Sequence, residues 1–168
     1  MPGIFLAGFM GSGKTTIGRA VAGKLGWSFA DLDADIESAE KTPIAEIFAK
    51  EGEAAFRAME TAALRARDES ISRGNQTVVA LGGGAFAQPA NVELLRQSGV
   101  SVWLDCPVEL AMRRIAAEKH RPLAQDPDQF KRLYESRRPL YAKADFRVAV
   151  TNDKAAETAA EIIRLLEF

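Results

Sequence analysis

The sequence predicts an α/β protein, a three-layer α/β/α sandwich around a central five-stranded parallel sheet. Three observations predict it. Short apolar runs alternate along the chain with stretches of helical periodicity. The runs are apolar throughout rather than at every second position, as in strands covered on both faces. No internal repeat and no long Gly/Ser/Pro-rich stretch divides the 168 residues, so one domain spanning 1–168 is expected.

The elements follow in order. Gly3 to Gly8 holds Ile-Phe-Leu-Ala, a buried strand. From Lys14 to Leu25, Ile17, Ala20, Val21 and Leu25 recur at helical spacing. Trp27 to Asp31 is a second strand. Ile36 to Ser70 is helix-rich, with Pro43 suited to a first helical position and Gly52 a break. Thr77 to Leu81 is a third strand, closed by Gly82-Gly83-Gly84. A helix runs from about Pro89 to Gln97, and a fourth strand from Val100 to Asp105. Pro107 opens a helix to Glu118, and His120 to Asp128, with Pro122 and Pro127, reads as a loop. A helix from about Gln129 to Tyr141, interrupted or ended near Pro139, leads to a fifth strand, Phe146 to Val150. Asn152 or Asp153 then caps a last helix reaching Leu166.

Composition excludes several classes. Hydrophobic residues at 47% and charged residues at 27% belong to ordinary globular chains, not disordered or fibrous ones. A net charge of −1 gives no global attraction to nucleic acid or anionic lipid, so phosphate binding must be local. No window is long and apolar enough to span a membrane. The run from Ile4 to Met10 lacks the basic flank and cleavage site of a signal peptide. The lone Cys106 is read as a buried strand-end residue, and His120 as a loop residue without a metal-ligand set around it. A cytoplasmic monomer is expected, acting on a small molecule, with neither nucleic acid nor membrane as partner.

In α/β sheets ligands sit beyond the carboxyl ends of the strands. The loops after Gly8, Asp31, Leu81 and Asp105 are therefore the places where chemistry is expected. Gly8-Phe-Met-Gly11-Ser12-Gly13-Lys14-Thr15 fits G-x-x-x-x-G-K-[ST] in full and stands between a strand and a helix. Its glycines let backbone N–H groups curl around phosphate oxygens. The helix N-terminus adds positive potential. Lys14 can reach the β- and γ-phosphates, and the Thr15 hydroxyl can ligate Mg²⁺. Thr16 stands where a dinucleotide fingerprint needs its third glycine, so that alternative fails. In Asp31-Leu32-Asp33 one carboxylate can serve the Mg²⁺ surroundings and the other orient an attacking hydroxyl. Alternatively Asp33 or Asp35 simply caps the next helix. Gly82, Gly83 and Gly84 suit close approach of a ligand to backbone donors, or a tight turn. Taken one by one, Arg57, Arg121 and Arg137 read as solvated surface or as anion ligands.

Together these segments resemble the shikimate kinase family. The resemblance is carried by Gly8-Phe-Met-Gly-Ser-Gly-Lys-Thr-Thr16, Phe29-Ala-Asp-Leu-Asp33, Ile44-Ala-Glu-Ile-Phe48, Gly52-Glu-Ala-Ala-Phe-Arg57, Leu81-Gly-Gly-Gly-Ala85, Arg121-Pro-Leu123 and Arg137-Arg-Pro-Leu-Tyr141. It covers nearly the whole chain. The phosphate loop alone is common to many NTPases; the combination is specific.

The resemblance implies a nucleoside-monophosphate-kinase-like P-loop fold, with a substrate-binding helical region at about 33–61 and a lid loop at about 118–128. It implies transfer of the γ-phosphoryl group of ATP to the 3-hydroxyl of shikimate, with Mg²⁺. By resemblance, Asp33 binds shikimate hydroxyls and accepts the proton, and Asp31 belongs with Thr15 to the metal surroundings. Arg57 and Arg137 hold the carboxylate, and Gly82, Gly83 and Gly84 donate N–H groups to the same ligand. Gly11, Ser12, Gly13, Lys14, Thr15 and Thr16 cradle the nucleotide. Arg121 is the lid arginine on the phosphates, Arg114 lies on the adenine side, and Lys154 falls where the family's nucleotide contact varies. Lys14, Asp33 and Arg121 are the expected catalytic set. Ala58 departs from the second basic residue that many members carry, Thr15-Thr16 replaces a common Ser-Thr, and Glu118 to Asp128 is the least family-like stretch. Two alternatives keep the phosphate loop: a kinase for another small acceptor such as gluconate or a nucleotide, and a nucleotide-dependent switch without an acceptor.

Overall fold

A computed structural model of the chain describes residues 3–117 and 126–166. Five parallel strands form one sheet in the order β2-β3-β1-β4-β5. They are β1 (Gly3–Ala7), β2 (Ser28–Asp31), β3 (Thr77–Ala80), β4 (Val100–Asp105) and β5 (Phe146–Ala149). The helices are α1 (Lys14–Leu25), α2 (Leu32–Glu40), α3 (Ile44–Ser72), α4 (Pro89–Ser98), α5 (Val108–Ala116), α6 (Pro127–Tyr141) and α7 (Ala155–Leu165). A short 3₁₀ turn, Ala85–Ala87, follows β3.

All residues of β1, β3 and β4 are buried, which is why these segments are apolar without alternation. The register pairs Leu6 with Ala80 and Val102, and Asp31 with Ala80. The carboxyl ends of four strands therefore align. The loops after Ala7, Asp31, Ala80 and Asp105 leave the same edge of the sheet, where a ligand is expected.

Six sequence expectations need correction. The helix expected from Ile36 begins at Leu32, because the Asp31 side chain accepts from the backbone N–H groups of Asp33 and Ala34. The capping residue is thus Asp31, not Asp33 or Asp35. Pro43 and Pro107 stand just before their helices as caps rather than within them. Pro127 and Asp128, expected in a loop, form the first turn of α6, which the Asp126 carboxylate caps at Gln129 N. That helix also runs through Pro139 to Tyr141. Neither Asn152 nor Asp153 is the N-cap of α7; Lys154 occupies it, although the Asn152 side chain accepts from the Lys154 N–H at 2.8 Å. Gly52 breaks α3 as expected, with φ 84° and ψ 174° inside an otherwise continuous helix.

Two hydrophobic clusters form. The large one joins the sheet to the helices on both its faces. The small one, Ile36, Ile47 and Phe56, lies within α2 and α3, and Ile44 and Met59 pack against it. The helical region that overhangs the strand ends thus has a core of its own.

Candidate active site

A cleft of about 680 Å³ opens over the aligned strand ends. It gathers the phosphate loop, Asp31 and Asp33, Arg57, the glycine triplet, Arg114 and Arg137.

The phosphate loop turns between β1 and α1. Gly13 caps α1 at φ 91° and ψ 20°, a left-handed conformation that favours glycine. Lys14 folds over the loop and donates from Nζ to the carbonyls of Gly8 and, at 3.3 Å, of Phe9. Cys106, whose Sγ lies 4.0 Å from Gly11 O, is buried, as expected for a strand-end residue, and burial pushes its thiol pKa up. Thr15 Oγ1 donates to Asp31 Oδ2 at 3.2 Å, while Asp31 Oδ1 caps α2. One carboxylate therefore ties the phosphate loop to the start of the helical region.

Asp33 lies in the first turn of α2, against the glycine triplet. A Cβ on Gly82 would stand 2.7 Å from Asp33 Oδ1 and 3.2 Å from Glu60 Oε2. A Cβ on Gly84 would collide with the Arg57 guanidinium. Gly82 and Gly84 are glycine because carboxylate and guanidinium groups press against their backbone. The Arg137 guanidinium reaches the same loop, 3.6 Å from where a Gly83 Cβ would be.

Arg57 is held on α3 by Glu60 at 3.2 Å and Glu53 at 3.4 Å. Glu60 is 1% exposed, and its Oε2 finds no hydrogen-bond partner among the described residues. Burial raises the Glu60 pKa above its usual 4.5; the Arg57 cation and hydrogen bond oppose this, and the Asp33 charge adds to it. The sequence reading missed Glu60. Its spacing of three from Arg57 on one helix was the available signal.

Arg114 bridges the phosphate loop and the turn before α7. It donates to Gly11 O at 3.1 Å, to Asn152 O at 3.0 Å and to Asp153 Oδ1 at 2.9 Å. The structure does not bring Lys154 to the cleft. Its side chain is 70% exposed and pairs with Glu157 at 3.6 Å, whereas Asn152 and Asp153 line the wall. Arg121 and most of the expected lid, 118–125, lie outside the described residues.

Comparison with known proteins supports what this geometry suggests. A profile of the shikimate kinase family matches residues 10–167. The chain belongs to the shikimate kinase family. It is 44% identical to a shikimate kinase of Moorella thermoacetica over 99% of this chain and 96% of that one. It is 50% identical to a shikimate kinase of Psychrobacter cryohalolentis over 84% of this chain and 75% of that one. The shikimate kinase of Acinetobacter baumannii, solved in complex with shikimate, superposes with a TM-score of 0.90 at 40% identity, covering 99% of this chain and 93% of that one. The shikimate kinase expectation thus stands, and the gluconate alternative gains no support. Among the described residues no helix is long and apolar enough to cross a membrane.

Proposed function

We propose a division of labour in this cleft for the reaction of a shikimate kinase, the transfer of the γ-phosphoryl group of ATP to the 3-hydroxyl of shikimate, giving shikimate 3-phosphate and ADP. The observation that carries it is the convergence of Arg57 and Arg137 on the glycine triplet, in the loop after β3, the strand next to the one that leads into the phosphate loop. A planar guanidinium matches a carboxylate through paired hydrogen bonds, so two of them suit an acidic acceptor.

Gly11, Ser12, Gly13 and Thr16 line the nucleotide side with Lys14 and Thr15. Backbone N–H groups and the α1 N-terminus cradle the phosphates there. Lys14 leaves its loop carbonyls to neutralise charge on the transferred group. Arg114 stands beside the nucleotide, and Arg121 serves the phosphates from the lid. Asp33 orients the attacking hydroxyl and takes its proton. Arg57, Arg137 and the N–H groups of Gly82, Gly83 and Gly84 hold the carboxylate end. The contribution is orientation and charge neutralisation rather than covalent catalysis.

Thr15 and Asp31 would hold Mg²⁺. Their oxygens lie 3.2 Å apart, and Mg²⁺ prefers hard oxygen donors, taking few from protein beside water and phosphate. Bound with the nucleotide, the ion offsets the negative charge of the phosphate oxygens. The setting is a cytoplasmic monomer.

The test is ADP release by the purified protein with ATP and Mg²⁺, with shikimate, gluconate or a nucleoside monophosphate as acceptor. Shikimate alone should stimulate it. Stimulation by gluconate instead would reassign the acid site, and nucleotide binding without any acceptor would favour a switch.

A further inference from the structure

Tyr141 ends α6, one helical turn beyond Arg137 and on the same face. It is 2% exposed and is one of the largest fully buried side chains. Its ring lies 6.1 Å from that of Trp103. A hydroxyl so deeply buried needs a partner. Tyr141 Oη donates to the Gly83 carbonyl at 2.9 Å. Tyr141 stands behind the glycine loop, and Gly83 and Gly84 form the cleft wall in front of it.

The other carbonyls of the triplet are also held. Gly82 O accepts from Ala85 N at 3.2 Å, and Gly84 O accepts from Ala87 N at 3.0 Å. Those bonds belong to the turn itself. The middle carbonyl is held by a side chain 58 residues away. A trans peptide points its N–H opposite to its C=O. With Gly83 O turned back toward Tyr141, the Gly84 N–H faces the opposite way, toward the cleft. A Gly–Gly peptide can flip at little steric cost, because glycine tolerates both signs of φ. A flip would set a carbonyl oxygen where the acid site offers a donor, and so repel a carboxylate.

We propose that the Tyr141 hydroxyl is a positioning and specificity-determining group for the acid site: it pins the Gly83 carbonyl so that the glycine loop presents N–H groups, not oxygens, to the acceptor's carboxylate. The proposal rests on the assignment above of Arg57, Arg137 and the triplet to that carboxylate. Burial raises the phenol pKa to about 12, with the Arg137 charge and hydrogen bond opposing the rise, so the donor proton persists at neutral pH.

Tyr141→Phe removes the hydroxyl and keeps the ring. With the bond to the Gly83 carbonyl lost, and with it the Arg137 contact to the same hydroxyl, kcat/KM for shikimate should fall roughly five- to tenfold. At saturating shikimate, kcat/KM for ATP should change by less than about twofold. The preference for shikimate over its carboxamide, which lacks the negative charge, should narrow. A merely structural role would lower the melting temperature and affect both substrates without changing that preference. An unchanged preference overturns the proposal. If wild-type protein fails to phosphorylate shikimate, the functional reading falls before any variant is made.

If Tyr141→Phe does not fold, wild-type protein answers the same question. The chain has 2 tyrosines, so labelling at ¹³Cζ gives two signals, assigned with Tyr134→Phe. The Tyr141 signal should move on adding shikimate and hold its place on adding ADP alone. A signal that ignores shikimate overturns the proposal.

Discussion

Asp31 and Asp33 stand two residues apart, yet their surroundings assign them different tasks. Asp31 spends one oxygen on the α2 N-cap and the other on the Thr15 hydroxyl, so it is a fixed part of the loop junction. Asp33 is set against Gly82, beside the buried carboxyl of Glu60. That placement suits a group that must meet a substrate hydroxyl. Asp33→Asn keeps the shape and removes the proton acceptor. Its kcat should fall roughly 10²–10⁴-fold while ATP still binds, by equilibrium titration with the nucleotide. Near-normal turnover would take Asp33 out of the role. The pair was legible in the sequence; that Asp31, rather than Asp33 or Asp35, caps the helix was not, because capping depends on where the strand stops.

At the scale of elements, α6 carries adjacent arginines with separate destinations. Arg137 turns to the cleft, while Arg138 turns to β4 and donates to both oxygens of Asp105, at 2.7 and 3.2 Å. Arg147 of β5 also donates to Asp105 at 2.7 Å. Both cations lie over the Trp103 ring, at 4.9 and 5.4 Å from its centroid. One carboxylate, 8% exposed, thus fastens α6 to two strands and fixes where Arg137 and Tyr141 stand. Burial pushes the Asp105 pKa up, but Arg138 and Arg147 outweigh it and leave the carboxyl below its usual 3.8. A carboxyl with a depressed folded pKa stabilises the fold above its ordinary pKa and loses that contribution as pH falls through the folded value. Asp105→Asn should therefore cost about 1–2 kcal/mol at neutral pH, because Arg138 and Arg147, 31% and 61% exposed, keep part of their hydration once the carboxylate is gone. The difference from wild type should shrink only below about pH 3.8, as read from denaturant unfolding across pH. A difference independent of pH would contradict the ion-pair account.

Over the whole molecule, a net charge of −1 conceals a cleft where Lys14, Arg57, Arg114 and Arg137 gather around Asp31, Asp33 and Glu60. The central strands β1, β3 and β4 were legible because strands buried on both faces leave unbroken apolar runs; β2 and β5, at the sheet edges, are only partly buried. The phosphate loop was legible because its motif is contiguous. Glu60, Tyr141 and the Asp105 clamp were not. The contacts of Tyr141 and Asp105 span from 33 to 58 residues, and nothing local in the chain records such distances. Lys154 shows the complementary limit: a position can adjoin a cleft while its side chain, paired with Glu157, lies outside the lining. The central claim is that one end of the cleft is built for a carboxylate and the other for a nucleotide. Steady-state kinetics of Arg57→Ala, with both substrates varied, test it most directly. Arg57 is 20% exposed and would face the substrate's charge with little water between them, so the KM for shikimate should rise roughly 30-fold or more, with that for ATP within about twofold. Equal increases in both would contradict the account.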